Sequence, residues 1–147
     1  MSATRKAQAS WGGTLAAGRG TVSARSSGAF DSLPVSWAAR TESAEGQTSP
    51  EELVAAAHAA CFAMAFSGDL GRAGSPPERL DVSAEVTFDK VEAGWRVVSS
   101  ALTVRGVVPG MSADTFVAAA EGARDGCPIS QALKGNVRIT VDATLEG

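Results

Sequence analysis

Two segments of the sequence alternate between apolar and polar residues and predict half-buried β-strands. The first runs over Leu80–Asp89 and the second over Val137–Leu145. Such alternation puts one strand face on a core and the other in water, which is typical of antiparallel sheets, so we expect antiparallel pairing. A longer strand over Trp95–Val107 shifts its apolar phase near Val97–Val98, which indicates a β-bulge, and Glu92-Ala93-Gly94 predicts the tight hairpin before it.

The N-terminal third of the chain predicts three shorter strands that are separated by Gly- and Ser-rich turns. They cover Lys6–Trp11, Gly20–Arg25 and Leu33–Arg40. Each contains Thr, Val or Trp, which are frequent in strands, and each is bounded by turn-forming residues.

A capping box marks the start of the first predicted helix. In Ser49-Pro50-Glu51-Glu52, Ser49 is the expected N-cap, Pro50 the first helical residue, and Glu52 the side chain that reaches back to the cap. The stretch that follows, Leu53–Phe66, is apolar on nearly all sides and predicts a helix that is buried on most of them.

Two further helices are predicted near the C-terminus. Ser112 is the expected cap of a helix that ends at Gly126, and Cys127-Pro128 begins a short helix that ends near Leu133. The predicted order is therefore βββα-ββ-αα-β, an α+β fold with antiparallel sheet in a single domain over residues 1–147.

The apolar helix over 53–66 also predicts an oligomer. One sheet can cover only one side of a helix, and an exposed apolar face of this size normally marks an interface. Burying that face against a second copy is the simplest solution, so we expect a homodimer.

Composition excludes several classes of protein. The chain has 147 residues, 13 Lys and Arg against 16 Asp and Glu, and no basic stripe, so we expect no nucleic-acid partner. The apolar stretch over 53–66 is too short to span a bilayer, and the first residues lack a signal-peptide core, so we expect no membrane partner and a cytoplasmic location. Two Cys and one His are too few for a zinc site, so we expect neither metal nor cofactor.

The two cysteines have different local settings. Cys61 lies in the middle of the apolar helix, where it could be a small core residue, and a reactive thiol there would need a nearby cation because burial raises its pKa. Cys127 occupies an apparent N-cap, where the helix dipole makes it the more acidic of the two thiols by local sequence. It could instead be a simple capping residue or one half of a disulfide with Cys61. His58 shares the helical face of Cys61 and is either its partner or a hydrogen-bonded, half-buried histidine.

The motifs around both cysteines resemble one family. TSPEELVAAAHAACFAMAFS and GCPISQAL are similar to segments of the OsmC/Ohr family of thiol-dependent hydroperoxide peroxidases, and the similarity extends over essentially the whole chain. His58 and the sequence GRGTVS resemble the OsmC branch. Ser49 and Ile129 stand where Asn and Val are more common. The resemblance implies two intertwined subunits whose antiparallel sheets wrap around two central helices.

The resemblance also implies roles for the site residues. Cys61 would attack the peroxide and Cys127 would resolve the product as a disulfide, which reverses the ranking from local sequence. Arg40 would activate Cys61, with Arg19 as second choice, and Glu51 would hold the guanidinium through a bidentate pair. Because Glu51 lies ~15 Å along the helix from Cys61, we expect it to reach the site through Arg40 or from the other subunit.

The implied activity is the reduction of organic hydroperoxides, and more weakly of hydrogen peroxide, with a lipoyl-type dithiol as reductant. The apolar residues near Cys61 favour a hydrophobic peroxide; they are the small Ala57, Ala60 and Ala65, with Phe62 and Met64. The alternative is a non-catalytic dimer that binds a small apolar ligand or senses redox state.

Overall fold

Six β-strands and four helices form along the chain, which the computed structural model describes over residues 1–147. In chain order they are β1 (Ala7–Gly12), β2 (Arg19–Ala24), β3 (Leu33–Val35), α1 (Trp37–Thr41), α2 (Pro50–Arg72), β4 (Arg79–Val91), β5 (Gly94–Val107), α3 (Ala113–Gly126), α4 (Pro128–Leu133) and β6 (Arg138–Leu145). They divide into two compact units, residues 1–53 and 54–147. The prediction of a single domain over 1–147 stays a prediction.

The first unit contains an antiparallel sheet in the order β1-β2-β3. Its first two strands lie within one residue of their predicted bounds. The third prediction is wrong beyond Val35, because the Ser36 hydroxyl accepts a hydrogen bond from the Ala39 N–H at 3.1 Å and caps a helix instead. Arg40 therefore lies on the short helix α1 and not at the end of a strand.

Helix α2 begins at the predicted residue, but only half of the capping box forms. The Ser49 hydroxyl accepts a hydrogen bond from the Glu52 N–H at 3.0 Å. The Glu52 carboxylate does not return to Ser49 and instead accepts a hydrogen bond from the Thr48 hydroxyl at 2.7 Å. Acidic residues in the first turn still complement the positive end of the helix.

The length of α2 corrects the prediction that its apolar stretch is too short to span a bilayer. The helix has 23 residues and contains an 18-residue window with a mean hydropathy of 1.5, so it is long and apolar enough to cross a membrane by length and composition. A helix that packs in the core of a globular protein passes the same test, and α2 contributes a stripe of side chains to such a core.

The second unit is built on a mixed sheet in the order β4-β5-β6. Strands β4 and β5 form the predicted hairpin, which closes where Val91 pairs with Gly94. The predicted bulge is present, since Val98 has no partner between the pairs Phe88–Val97 and Thr87–Ser99. The antiparallel prediction for the last strand is wrong, because α3 and α4 carry the chain back across the sheet and β6 pairs parallel to β5.

The core of the second unit joins this sheet to α2 and α3. Phe62, Phe66 and Leu70 project from one side of α2, and the ring of Phe66 lies 5.1 Å from that of Phe116 on α3. The opposite side of α2 stays exposed in the single chain, with Met64 at 71% of its accessible area. Within one chain, burial of the helix is thus limited to a stripe. Burial of the opposite side against a second copy stays a prediction.

Candidate active site

The two cysteines meet in the second unit as free thiols. Cys61 is half-buried on α2, and Cys127 is completely buried at the junction between α3 and α4. The Cys127 thiol and the backbone N–H of Ile129 are close enough to Cys61 to shift the pKa of its thiol. The structure therefore brings the predicted redox pair together.

Burial raises the pKa of the Cys61 thiol, and the Cys127 thiol beside it raises this pKa further. The Ile129 N–H acts in the opposite direction, because it stabilises a negative charge on sulfur. All of these influences come from the second unit, and none of them is a cation. A reactive Cys61 thiolate therefore requires a positive charge in addition to them.

Cys127 occupies the predicted N-cap position of α4, but its side chain makes no capping hydrogen bond. The first N–H that α4 can offer is that of Ile129, because Pro128 has none, and it serves Cys61. The hydrogen bond by which α4 would favour a Cys127 thiolate is therefore absent, and the thiol is completely buried.

His58 is completely buried one helical turn before Cys61 and bonds to two serines. Its Nδ1 lies 2.7 Å from the Ser100 hydroxyl on β5, and its Nε2 lies 2.8 Å from the Ser130 hydroxyl on α4. Burial lowers the pKa of His58, so the ring is neutral and donates one of these hydrogen bonds while it accepts the other. Of the two interpretations of His58, the structure supports the hydrogen-bonded histidine, although it is fully rather than half buried.

Arg40 and Glu51 form the expected bidentate pair in the first unit. The Nε and Nη2 atoms of Arg40 donate to the two carboxylate oxygens of Glu51 at 2.8 and 2.9 Å. The guanidinium also lies 5.8 Å from the centre of the Trp37 ring, within the range of a cation–π contact. Arg19, at the start of β2, is exposed.

An apolar cavity of about 280 Å³ adjoins Arg40 within the first unit. Its lining includes Trp11, Leu15, Val35, Trp37 and Pro50. A guanidinium beside aromatic and aliphatic side chains suits a ligand with one polar and one apolar end.

Sequence reasoning missed three groups in this region. The backbone N–H of Ile129 acts on Cys61, and the hydroxyls of Ser100 and Ser130 are hydrogen-bonded to His58. The GCPIS motif contains two of them and was the only available signal, whereas Ser100 lies in an ordinary strand sequence. Phe62 was expected near a substrate, but it is completely buried in the core.

Known proteins resemble this chain in sequence and in fold. A family profile described as "OsmC-like protein" matches residues 42–142. Peroxiredoxin OsmC of Escherichia coli is 44% identical over 146 residues, which cover 99% of each chain. The organic hydroperoxide resistance protein OhrA of Bacillus subtilis is 33% identical over 109 residues, which cover 70% of this chain and 72% of OhrA.

Solved structures agree on the fold. The crystal structure of an organic hydroperoxide resistance protein from Elizabethkingia anophelis matches with a TM-score of 0.72 at 22% identity, and the match covers 99% of this chain and 100% of the other. At that identity the likeness concerns the fold, and it agrees with an α+β chain that contains two three-stranded sheets. From the profile match and the near full-length identity to a peroxiredoxin OsmC, we conclude that this chain belongs to the OsmC family.

Proposed function

We propose that this chain is a cysteine-based peroxidase that reduces organic hydroperoxides, and hydrogen peroxide more weakly. The observation that carries the proposal is the proximity of its only two cysteines, which lie far apart in sequence and are close enough in the second unit for Cys127 to shift the pKa of Cys61. The full-length similarity to a peroxiredoxin OsmC supports the same chemistry.

The proposed reaction has three balanced steps. The Cys61 thiolate attacks the distal oxygen of the peroxide, which breaks the O–O bond, leaves a sulfenic acid and releases an alkoxide that takes up a proton. The Cys127 thiol then condenses with the sulfenic acid to form a disulfide and water. A lipoyl-type dithiol attacks this disulfide by thiol exchange and leaves as a cyclic disulfide.

We assign the activation of Cys61 to Arg40. Burial raises the pKa of this thiol, so an opposing positive charge is needed to hold it as a thiolate near neutral pH. Arg40 is the better candidate than Arg19, because Glu51 fixes its orientation with two hydrogen bonds whereas Arg19 is exposed. The same charge would stabilise the oxygen that leaves in the first step.

The apolar cavity beside Arg40 supports a substrate with a hydrocarbon tail. Its aromatic and aliphatic lining offers an organic hydroperoxide favourable contacts that hydrogen peroxide cannot make. We therefore expect a higher kcat/KM for cumene hydroperoxide than for hydrogen peroxide.

We further propose that the enzyme is a homodimer and that the dimer completes its active site. The exposed side of α2 carries Ala56, Ala57, Ala60 and Met64, and a second copy is the simplest cover for this apolar face. A cytosolic location suits the cycle, because both thiols must be reduced again after each turnover.

The primary experiment follows consumption of cumene hydroperoxide with dihydrolipoamide as reductant. We expect catalytic turnover by the wild type and none by Cys61→Ser, whereas Cys127→Ser should be oxidised once and then stall. A wild-type burst from Cys61→Ser would reverse the assigned roles. Absence of turnover by the wild type with any dithiol would refute the peroxidase.

The activating arginine is identified by the pH dependence of Cys61 alkylation. We expect Arg40→Ala to move the midpoint upward by one unit or more, since an opposing charge near a thiolate typically shifts a pKa by about 1–3 units. Arg19→Ala is the matched control and should leave the midpoint in place. The opposite result would make Arg19 the activating residue.

Subunit mixing tests the shared site. Arg40→Ala and Cys61→Ser dimers are each expected to have very low activity. If Arg40 serves the Cys61 of its partner, exchanged subunits recover about one quarter of wild-type activity, because half of the dimers are mixed and each mixed dimer has one intact site. No recovery after verified exchange would place both residues of one site on the same chain.

A further inference from the structure

We propose that His58 is a positioning residue for the redox pair, and that it acts by fixing α4 against α2 through the Ser130 hydroxyl. The inference rests on the proposed function only in taking Cys61 and Cys127 as the reacting thiols. Its basis is a chain of contacts in the second unit that the peroxidase mechanism does not use.

The contacts connect three separate elements at a single ring. His58 is on α2, and its two nitrogens reach Ser100 on β5 and Ser130 on α4 at 2.7 and 2.8 Å. All three residues are buried, with exposures of 0%, 0% and 3%. Buried polar groups without a partner are costly, so each of these hydrogen bonds strongly favours one placement of its element.

The hydrogen bond between His58 and Ser130 holds helix α4 in position against α2. The helix has only six residues, and the two groups that shift the pKa of Cys61 lie on it or directly before it: the Ile129 N–H, next to Ser130, and the Cys127 thiol at the N-cap. A displacement of α4 would therefore weaken the influence of the Ile129 N–H on Cys61 and separate the two sulfur atoms at once. His58 and Cys61 lie one turn apart on α2, so the ring ties α4 to the same part of the helix that carries the reacting thiol.

No charge participates in this arrangement. The ring faces two serine hydroxyls, and Cys61 faces the Cys127 thiol and a backbone N–H. The influence of His58 on Cys61 is consequently geometric, and it differs from that of a base that would take a proton from the thiol.

Ser130→Ala and Ser100→Ala form a matched pair of variants for the test. Each substitution removes one buried hydroxyl that is hydrogen-bonded to His58, but only Ser130 connects the ring to α4. Urea unfolding measures the stability of both variants. Alkylation by iodoacetamide, followed by mass spectrometry of the Cys61 peptide over a pH range, reports the thiol, and quenched-flow oxidation by diamide reports disulfide closure without peroxide.

We expect both variants to lose stability and only Ser130→Ala to change the chemistry. Its alkylation midpoint should fall, because the contact with Cys127, which raises the pKa of Cys61, acts more strongly than the Ile129 N–H, which lowers it, and both weaken together. Disulfide closure should slow by about tenfold or more. Ser100→Ala should keep both values within about twofold of wild type. Equal effects in the two variants, or no effect of Ser130→Ala on midpoint and closure, would overturn the proposal.

Two substitutions at position 58 extend the test should Ser130→Ala fold poorly. His58→Leu removes both hydrogen bonds, and His58→Gln keeps a donor and an acceptor on one amide. We expect His58→Gln to close the disulfide faster than His58→Leu, and equal rates would contradict a positioning role. Neither alkylation nor diamide oxidation requires peroxide turnover. The result of this test therefore does not depend on whether the peroxidase assay succeeds.

Discussion

Acidification should destabilise the chain through a single residue, His58. This is the only histidine in the sequence, and it is completely buried between two uncharged serines. Burial lowers its pKa in the folded chain, whereas in the unfolded chain the ring titrates near the usual value of about 6.5. Below that pH the unfolded chain binds a proton that the folded chain does not.

The sign and size of the effect follow from this difference in proton binding. The contribution of neutral His58 to folding stability is fully present above the unfolded pKa and is lost as the pH falls below it, with a slope of at most about 1.4 kcal/mol per pH unit. One unit below the unfolded pKa, at about pH 5.5, the loss relative to pH 7.5 is at most about 1.4 kcal/mol, which is reached when the folded pKa lies well below 5.5. The folded ring can donate to both serine hydroxyls when charged, but neither carries a negative charge to offset its burial.

The assay is urea unfolding between pH 5.5 and 7.5 at one fixed protein concentration, because association also contributes to the stability of a dimer. Most carboxylates titrate below this range and most thiols above it, so His58 dominates the change. His58→Gln is the control and should lose less than about a third as much stability between the two pH values. An equal loss in wild type and His58→Gln, or a flat profile in the wild type, would refute the reasoning.

Three further predictions concern other parts of the structure. Glu51→Gln leaves Arg40 with one fewer charged acceptor and should lower kcat/KM in the peroxidase assay by about tenfold, with less effect than Arg40→Ala, as expected for a charge-assisted hydrogen bond. Gly106→Ala places a Cβ 2.7 Å from an aromatic ring of α3 and should cost about 1–3 kcal/mol in urea unfolding, whereas Gly122→Ala on α3 meets nothing and should be neutral or stabilising. Met64→Lys puts a charge on the exposed apolar side of α2 and should shift light scattering from twice the mass of one chain toward the mass of one chain; an unchanged dimer would exclude this face as the interface.

Local pattern was sufficient for most of the secondary structure. The β4–β5 hairpin, its bulge at Val98 and the caps Ser49 and Ser112 depend on residues within a few positions of each other, so they could be recognised in the sequence. The α+β class followed from the order of these elements. The assignment of Cys61 over Cys127 did not come from local pattern, which favoured the opposite ranking.

Tertiary structure decided the features in which distant segments meet. The parallel pairing of β6 depends on how α3 and α4 cross the sheet, and alternation of apolar residues is the same for either strand direction. The strand predicted over Leu33–Arg40 ends at Val35, because the Ser36 hydroxyl caps a helix and favours it over an extended chain.

The contacts around the two cysteines also depend on tertiary structure. His58 meets Ser100 and Ser130 across 42 and 72 residues of sequence, and the Ile129 N–H reaches Cys61 from a different helix. The sequence alone determined which elements form and which residue types are available to them. Only packing decided which hydrogen-bonding groups share a buried space, because a buried donor or acceptor takes its partner from whatever element the fold brings within reach.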